Sequence, residues 1–165
     1  MRYSKIDFDV SNGLGCGYSL FVQGCDNYCE DCFNPETWDF NGGKEFTEET
    51  AERIIQLLDK PYITRLSILG GEPLHKNNSY AVMKLIESVN SKFEQSKEIW
   101  VYTGYKFEDL TPYQVETIAQ ADVLVDGRYE KDKRDITLPF RGSTNQRIID
   151  IKKSLIFDEV TLWSK

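Results

Sequence analysis

The segment "YSLFVQGCDNYCEDCFN", residues 18–34, joins a short strand-like run to a loop rich in cysteine. Its first five residues, 18–22, favour an extended backbone, and the Gln-Gly pair that follows predicts the end of a strand. Three of the chain's four cysteines lie in the loop 24–34, namely Cys25, Cys29 and Cys32. We therefore expect a cysteine-lined metal or iron–sulfur site at the carboxyl end of a strand.

The same transition from an apolar strand to a glycine-containing loop recurs along the chain. Strands are predicted for the run 65–69, which is followed by "GGEP", and for the run "EIWVY", which is followed by "TGY". A further strand is predicted for the run 122–125, which is followed by "DGRY". Between these strands, apolar residues recur at helical spacing. Thr47 predicts the start of the first helix, and Thr111 with Pro112 predicts the start of the third.

Alternating strands and helices predict an α/β fold with parallel pairing, either a layered sheet or a partial barrel. In such folds ligands bind at the carboxyl ends of the strands, so we expect the cysteine loop and the three later loops to share one site. The chain of 165 residues suits a single domain, 1–165. At the amino terminus, alternation predicts a strand that buries one face, formed by Ile6, Phe8 and Val10.

The overall composition narrows the classes of function. A net charge of −7 leaves little general attraction for phosphate, so nucleic acid is not expected as a partner. No run has the apolar length of a signal peptide or a membrane span, so we expect neither secretion nor membrane insertion. Clustered cysteines without a secretory signal favour metal ligation over disulfides. The expected protein is therefore intracellular and soluble.

Residue chemistry alone leaves three interpretations of the cysteine loop open. A zinc site needs four ligands, and Cys16 or the single histidine, His75, could complete the set. A ferredoxin-type module would also need a fourth cysteine. Cys16 precedes the strand, and an extended strand separates its ends by about 3.3 Å per residue, so Cys16 is expected far from the loop. The third interpretation is a 4Fe-4S cluster held by three cysteines, which leaves one iron open as catalytic sites do.

The cysteine spacing resembles the signature of the radical S-adenosylmethionine enzymes, and "ILGGEP" is similar to their glycine-rich element. A narrower resemblance is to the activating proteins of anaerobic (class III) ribonucleotide reductases. It depends on five segments that occur in that family's order between residues 19 and 150. They are "SLFVQGCDNYCEDCFNPETWDFNGGKEFT", "LSILGGEPL", "IWVYTGY", "DVLVDGRYEKD" and "FRGSTNQRIID".

The resemblance implies a cofactor set and a reaction. One 4Fe-4S cluster would be held by Cys25, Cys29 and Cys32, and the amino and carboxylate groups of S-adenosylmethionine would occupy its open iron. Reductive cleavage would yield a 5′-deoxyadenosyl radical, which would take hydrogen from a glycine of the large reductase subunit. That subunit and a low-potential reductant such as flavodoxin would be the partners, in an anaerobic cytoplasm. No catalytic side chain is implied, because the cluster and S-adenosylmethionine carry the chemistry.

The resemblance also implies a fold and further site residues. The fold would be a shortened, open-sided partial (β/α) barrel of the radical S-adenosylmethionine type, mostly parallel, with helices on the outer face. An open side would admit a loop of the partner protein. Gly70 and Gly71 would let the backbone approach the methionine end of S-adenosylmethionine, and Glu72 would face its ammonium. The remaining candidates for cofactor binding are Phe33, Tyr102, Thr103, Gly104 and Asp126.

Several features of the sequence fall outside the common pattern. Asp31 stands before the third cysteine, where related enzymes often have an aromatic residue near adenine, so Phe33 is the candidate in its place. The turn before the cysteine strand lacks the arginine that related activating enzymes often carry. The locally basic segment 128–153 is expected to be either a solvated face or a surface for the reductase or an acidic electron donor. A short radical S-adenosylmethionine enzyme acting on a small molecule, such as 7-carboxy-7-deazaguanine synthase, stays an alternative.

Overall fold

In the computed structural model, which describes residues 1–164, seven strands form one sheet and four α-helices accompany it. The strands are β1 (Arg2–Asp9), β2 (Gly17–Val22), β3 (Lys44–Glu45), β4 (Arg65–Gly70), β5 (Glu98–Tyr102), β6 (Val123–Asp126) and β7 (Arg147–Asp150). The helices are α1 (Glu48–Leu58), α2 (Ser79–Phe93), α3 (Pro112–Ile118) and α4 (Ile151–Phe157). The order of strands across the sheet is β3-β1-β2-β4-β5-β6-β7.

The four central strands, β2, β4, β5 and β6, run parallel, and antiparallel strands flank them on both sides. This topology confirms the predicted α/β class with parallel central strands. Strands β3 and β7 and helix α4 were not predicted from the sequence. Strand β3 has only two residues, too few to show a pattern. Strand β7 passes into α4 without an intervening turn, so no residue pattern marks where one element ends and the other begins.

The two faces of the sheet are covered differently. One face packs on the helices, where the central strands contribute Leu20, Val22, Leu66, Ile68, Ile99, Val101 and Leu124 to the main core. The other face carries a smaller apolar cluster centred on Trp100, against which Leu14, Phe140 and Trp163 pack. Those three residues belong to loops and to the carboxyl-terminal tail. Helices thus line one face, and the opposite face is left to loops, which can build a site there.

The predicted helix starts are confirmed by their caps. The Thr47 hydroxyl accepts a hydrogen bond from the amide of Thr50, and the Thr111 hydroxyl accepts one from the amide of Gln114, each at 3.3 Å. Pro112 occupies the first turn of α3. These acceptors satisfy amide groups that have no partner inside the helix. Within residues 1–164, no helix has both the length and the apolar character that crossing a bilayer requires.

The prediction of a buried face on β1 was wrong for most of its length. Tyr3 is buried and Ile6 is half-buried, but Phe8 is 53% exposed and Val10 is 61% exposed. The main core includes Tyr3, and Ile6 and Tyr18 pack against it. Phe8 is not part of this core, and its ring packs edge-on against Tyr18. Val10 lies beyond the end of the strand. Alternation therefore predicted the strand correctly but not how far the core covers it.

Candidate functional site

The loops that follow the four parallel strands surround a cavity of about 510 Å³. The loop after β2 contributes the three clustered cysteines, and the end of β4 with the loop after it contributes Gly70, Gly71 and Glu72. The loops after β5 and β6 add Thr103, Gly104, Gly127 and Tyr129. The structure therefore brings together the loops that sequence analysis expected at one edge of the sheet.

The three cysteines differ in their exposure to solvent. Cys25 is buried, whereas Cys29 and Cys32 are half-buried, and all three are free thiols lining the same cavity. Burial raises the pKa of the Cys25 thiol to about 11, and the negative charges of Glu72 and of the other two cysteines add to this effect. A thiolate at this position therefore needs a compensating positive charge, as a metal or cluster would provide.

Two N–H groups point at sulfur atoms of the loop. The amide of Asn34 donates to the Sγ of Cys32, and the guanidinium Nε of Arg128 donates to the Sγ of Cys29, both at 3.4 Å. Within residues 1–164, no three His, Cys, Asp or Glu side chains are arranged around a single metal ion. Three thiols that line one cavity, with donors to two of the sulfurs, fit a sulfur-ligated cluster.

The two residues considered as a fourth ligand lie outside the cavity lining. Cys16 immediately precedes β2 and packs partly against the main core, so the length of the strand separates it from Cys25, as predicted. His75 is 8% exposed, and its Nε2 lies 3.2 Å from a carboxylate oxygen of Asp26. The His75 ring also packs against Phe40, with centroids 4.5 Å apart.

Glu72 links three of the loops. Glu72 is 2% exposed, and its carboxylate accepts hydrogen bonds from the hydroxyl of Thr103 at 2.7 Å and the amide of Gly104 at 2.8 Å. It also accepts from the amide of Leu74 at 3.0 Å and from the side-chain amide of Asn27 at 3.3 Å. Burial raises the pKa of Glu72, and these four donors act in the opposite direction. The carboxylate therefore ties the loops after β2 and β5 to its own.

Replacing Thr103 by valine is expected to lower the free energy of unfolding by about 2 kcal/mol, because one buried donor to a carboxylate is lost. The Thr103 hydroxyl also accepts the amide of Tyr105 at 3.2 Å, so that amide loses its partner as well. Urea denaturation under anaerobic conditions measures the change. The Thr103→Ser variant keeps the hydroxyl and should lose less than half as much stability, whereas equal losses in the two variants would show that the hydrogen bonds of the hydroxyl are not the source of the effect.

The glycine pair after β4 is required by packing within the protein. Gly70 has a φ of +103°, and a Cβ there would lie 2.8 Å from the Cα of Phe21. A Cβ on Gly71 would lie 2.6 Å from the carbonyl oxygen of Gly24. Both glycines were predicted to allow close approach of a ligand. The structure shows that each also lets the end of β4 and its loop contact the end of β2 and the loop that follows.

The other predicted site residues are divided between two places. Phe33 is 53% exposed at the cavity rim, where its ring centroid lies 5.0 Å from that of Tyr129. Tyr102 also lines the cavity, and its hydroxyl donates to the carbonyl of Phe140 at 2.9 Å. Burial raises the pKa of Tyr102, so it stays a neutral hydroxyl.

Asp126 is the predicted residue that the structure does not bring to this cavity. It lines a separate cavity of about 380 Å³ instead. Its buried carboxylate accepts from the Nε of Arg147 at 3.0 Å and from the amide of Phe107 at 2.8 Å. The aspartate is therefore already paired inside the protein.

Three further polar residues lie at the site: Asn27 and Arg128, which were not predicted as site residues, and Arg141, which the segment "FRGSTNQRIID" favoured near the site without fixing its role. Asn27 donates to Glu72, and Arg128 donates to Cys29. Arg141 lines the cavity, and its buried Nε has no hydrogen-bond partner within residues 1–164. Arg128 and Arg141 both lie in segments that the resemblance had already singled out, so the segments were a usable signal even though the individual roles were not.

Comparison with known proteins gives a consistent picture. The family of 4Fe-4S single cluster domains matches residues 11–149. A protein of Enterobacteria phage T4 is 42% identical over 149 residues, covering 90% of this chain and 93% of the relative. One from Salmonella typhimurium is 39% identical, covering 88% and 96%, and one from Escherichia coli K12 is 39% identical, covering 84% and 90%. All three are named anaerobic ribonucleoside-triphosphate reductase-activating proteins.

Proposed function

Because the chain belongs to the family of anaerobic ribonucleoside-triphosphate reductase-activating proteins and carries a 4Fe-4S domain, we propose that it activates the reductase by cleaving S-adenosylmethionine reductively. The product of activation is a glycyl radical on the large subunit of the reductase. This makes the protein a radical S-adenosylmethionine oxidoreductase. The observation that carries the proposal is the placement of Cys25, Cys29 and Cys32 along one cavity at the ends of parallel strands.

The three cysteines would hold one 4Fe-4S cluster and leave its fourth iron to S-adenosylmethionine. The positions of Cys16 and His75, both away from the cavity lining, support a set of three protein ligands. The chemistry that a bound, reduced cluster would supply is the transfer of one electron to the sulfonium. That transfer would release methionine and a 5′-deoxyadenosyl radical, which would take hydrogen from a glycine of the large subunit. The protein's own task is to orient the two reactants and to keep water and other quenchers away.

The loops around the cavity would orient S-adenosylmethionine. Glu72 places a negative charge beside the cysteines, where it can balance the ammonium of the methionine end. A carboxylate offers about four acceptor positions, and the protein already supplies four donors. Asn27, the most distant of them at 3.3 Å, is the donor that a bound ammonium would replace.

The remaining contacts follow from the positions of the other cavity residues. Gly70, Gly71, Thr103 and Gly104 line the cavity and would lie beside the methionine and ribose. Phe33 and Tyr102 offer rings for the adenosyl group. Asp126 is not part of this proposed set, because it faces the smaller cavity and is paired with Arg147.

The partner would reach the cavity from the face of the sheet that helices leave uncovered. This arrangement agrees with an open-sided partial barrel, in which a loop carrying the target glycine completes the enclosure. The large subunit is therefore the proposed substrate, and a low-potential reductant such as flavodoxin is the proposed electron donor. A cluster of this kind would work in an anaerobic cytoplasm.

The test combines anaerobically reconstituted protein, dithionite, S-adenosylmethionine and the large subunit of an anaerobic ribonucleotide reductase. We expect 5′-deoxyadenosine and methionine in equal amounts, together with a glycyl doublet in the electron paramagnetic resonance spectrum. Cleavage without the doublet would indicate a small-molecule substrate instead. Bound zinc and no cleavage would contradict the proposal entirely.

A further inference from the structure

Arg128, in the loop after β6, contacts the cysteine loop at two points. Its Nε donates to the Sγ of Cys29 at 3.4 Å, and its Nη2 donates to the backbone carbonyl of Asn27. Asn27 in turn donates to Glu72. The guanidinium therefore joins the loop after β6 to the loop that carries the three cysteines, beside one of the sulfur atoms.

The acidic side chains of the cysteine loop have other partners. Asp26 pairs with His75 at 3.2 Å. Glu30 and Asp31 both pair with Lys131, at 2.7 Å and 3.1 Å. Arg128 makes no ion pair with any carboxylate in the part of the chain that the structure describes, residues 1–164. Its positive charge is therefore directed toward Cys29 without being neutralised locally.

Most other cations of the basic segment 128–153 are paired within the chain. The pairs are Lys133 with Glu130, Arg147 with Glu108 and Asp126, Lys152 with Asp122, and Lys153 with Asp150. This pairing weakens the interpretation of the whole segment as a docking surface. Arg128, Arg134 and Arg141 make no ion pair within residues 1–164, and of these three Arg128 is the one that donates a hydrogen bond to a cysteine sulfur.

We propose that Arg128 is a positioning residue that raises the reduction potential of the cluster held by Cys25, Cys29 and Cys32. This inference rests on the proposed function. Hydrogen bonds to ligand sulfur and nearby positive charge favour the more negative, reduced form of an iron–sulfur cluster. The affected step is the transfer of one electron from the low-potential donor to the oxidised cluster. Arg128 itself gains and loses neither electron nor proton.

The experiment is a redox titration of anaerobically reconstituted protein, followed by electron paramagnetic resonance of the reduced cluster. Arg128→Gln removes the charge and keeps an amide donor, and Arg128→Met removes both. We expect Arg128→Met to reduce the equilibrium constant for reduction at least tenfold, which is about 59 mV for a one-electron couple. The reduction potential of Arg128→Gln should also be lower than that of the unaltered protein. Lys133→Met removes an equal charge from the same segment without touching a cysteine, and should leave the potential unchanged.

Each outcome has a distinct meaning. Unchanged potentials in both Arg128 variants, with full iron content, would overturn the inference and leave the proposed function standing. Loss of iron from both variants would also overturn it, because Arg128 would then hold the loop rather than tune the cluster. A shift of equal size in Lys133→Met would also overturn the inference, because the change in potential would then come from the net charge of the protein and not from the contact of Arg128 with Cys29. Absence of any cluster signal in the unaltered protein would instead contradict the proposed function.

Discussion

Replacing Cys29 by alanine is expected to abolish cluster binding and to reduce cleavage of S-adenosylmethionine to the rate seen without protein. Cys29 is one of three thiols that line the cavity, and the fourth cysteine, Cys16, does not line it. Under the proposed three-cysteine ligation, the variant would offer the cluster only two protein ligands, and we expect it not to be retained. Iron analysis and the absorption band of the reconstituted cluster measure the loss, and quantified 5′-deoxyadenosine measures the activity.

The matched control is Cys16→Ala. Cys16 is half-buried at the opposite end of β2, and its backbone carbonyl, which the substitution keeps, accepts the amide of Thr64 at 2.9 Å. This variant should keep its iron and its cleavage activity. If Cys16→Ala lost the metal as completely as Cys29→Ala, a four-cysteine zinc or ferredoxin-type site would be the better description.

Much of the scaffold could be predicted from local pattern. The strand 65–69 and the capped start at Thr111 depend on apolar runs and side-chain acceptors that act over a few residues. The exposure of Phe8 depends on how far the helices reach across the sheet, which no local pattern encodes. The antiparallel addition of β7 beside β6 likewise depends on a long-range pairing.

The site shows the same division between local and distant information. Cysteine spacing and the glycine pair identified the loops, because close spacing along the chain implies closeness in space. The bonds from Thr103 and Gly104 to Glu72 join residues about thirty positions apart, and the contact of Arg128 with Cys29 joins residues still farther apart. Those contacts exist only because parallel strands bring successive loops to the same edge.

Replacing Gly70 by alanine is expected to lower the free energy of unfolding by about 3–4 kcal/mol, combining two separate costs. A left-handed backbone at φ +103° is unfavourable for any residue with a side chain, and the added methyl would meet the backbone of Phe21 at 2.8 Å. Because that backbone belongs to β2, relief of the clash should displace the strand end that carries Cys25. Iron content should therefore fall together with stability.

Gly127→Ala separates the two costs. Gly127 has a similar φ of +94°, but the nearest atom to an added Cβ lies 3.6 Å away, which is ordinary contact. In this variant only the unfavourable backbone conformation should lower the free energy of unfolding, by about 1–2 kcal/mol, and the iron should be kept. Anaerobic urea denaturation with iron analysis on both variants measures the difference. Equal losses of stability in the two variants would mean that contact between the ends of β2 and β4 does not constrain Gly70. A larger loss for Gly70→Ala, accompanied by loss of iron, would show that this contact maintains the geometry of the cysteine loop.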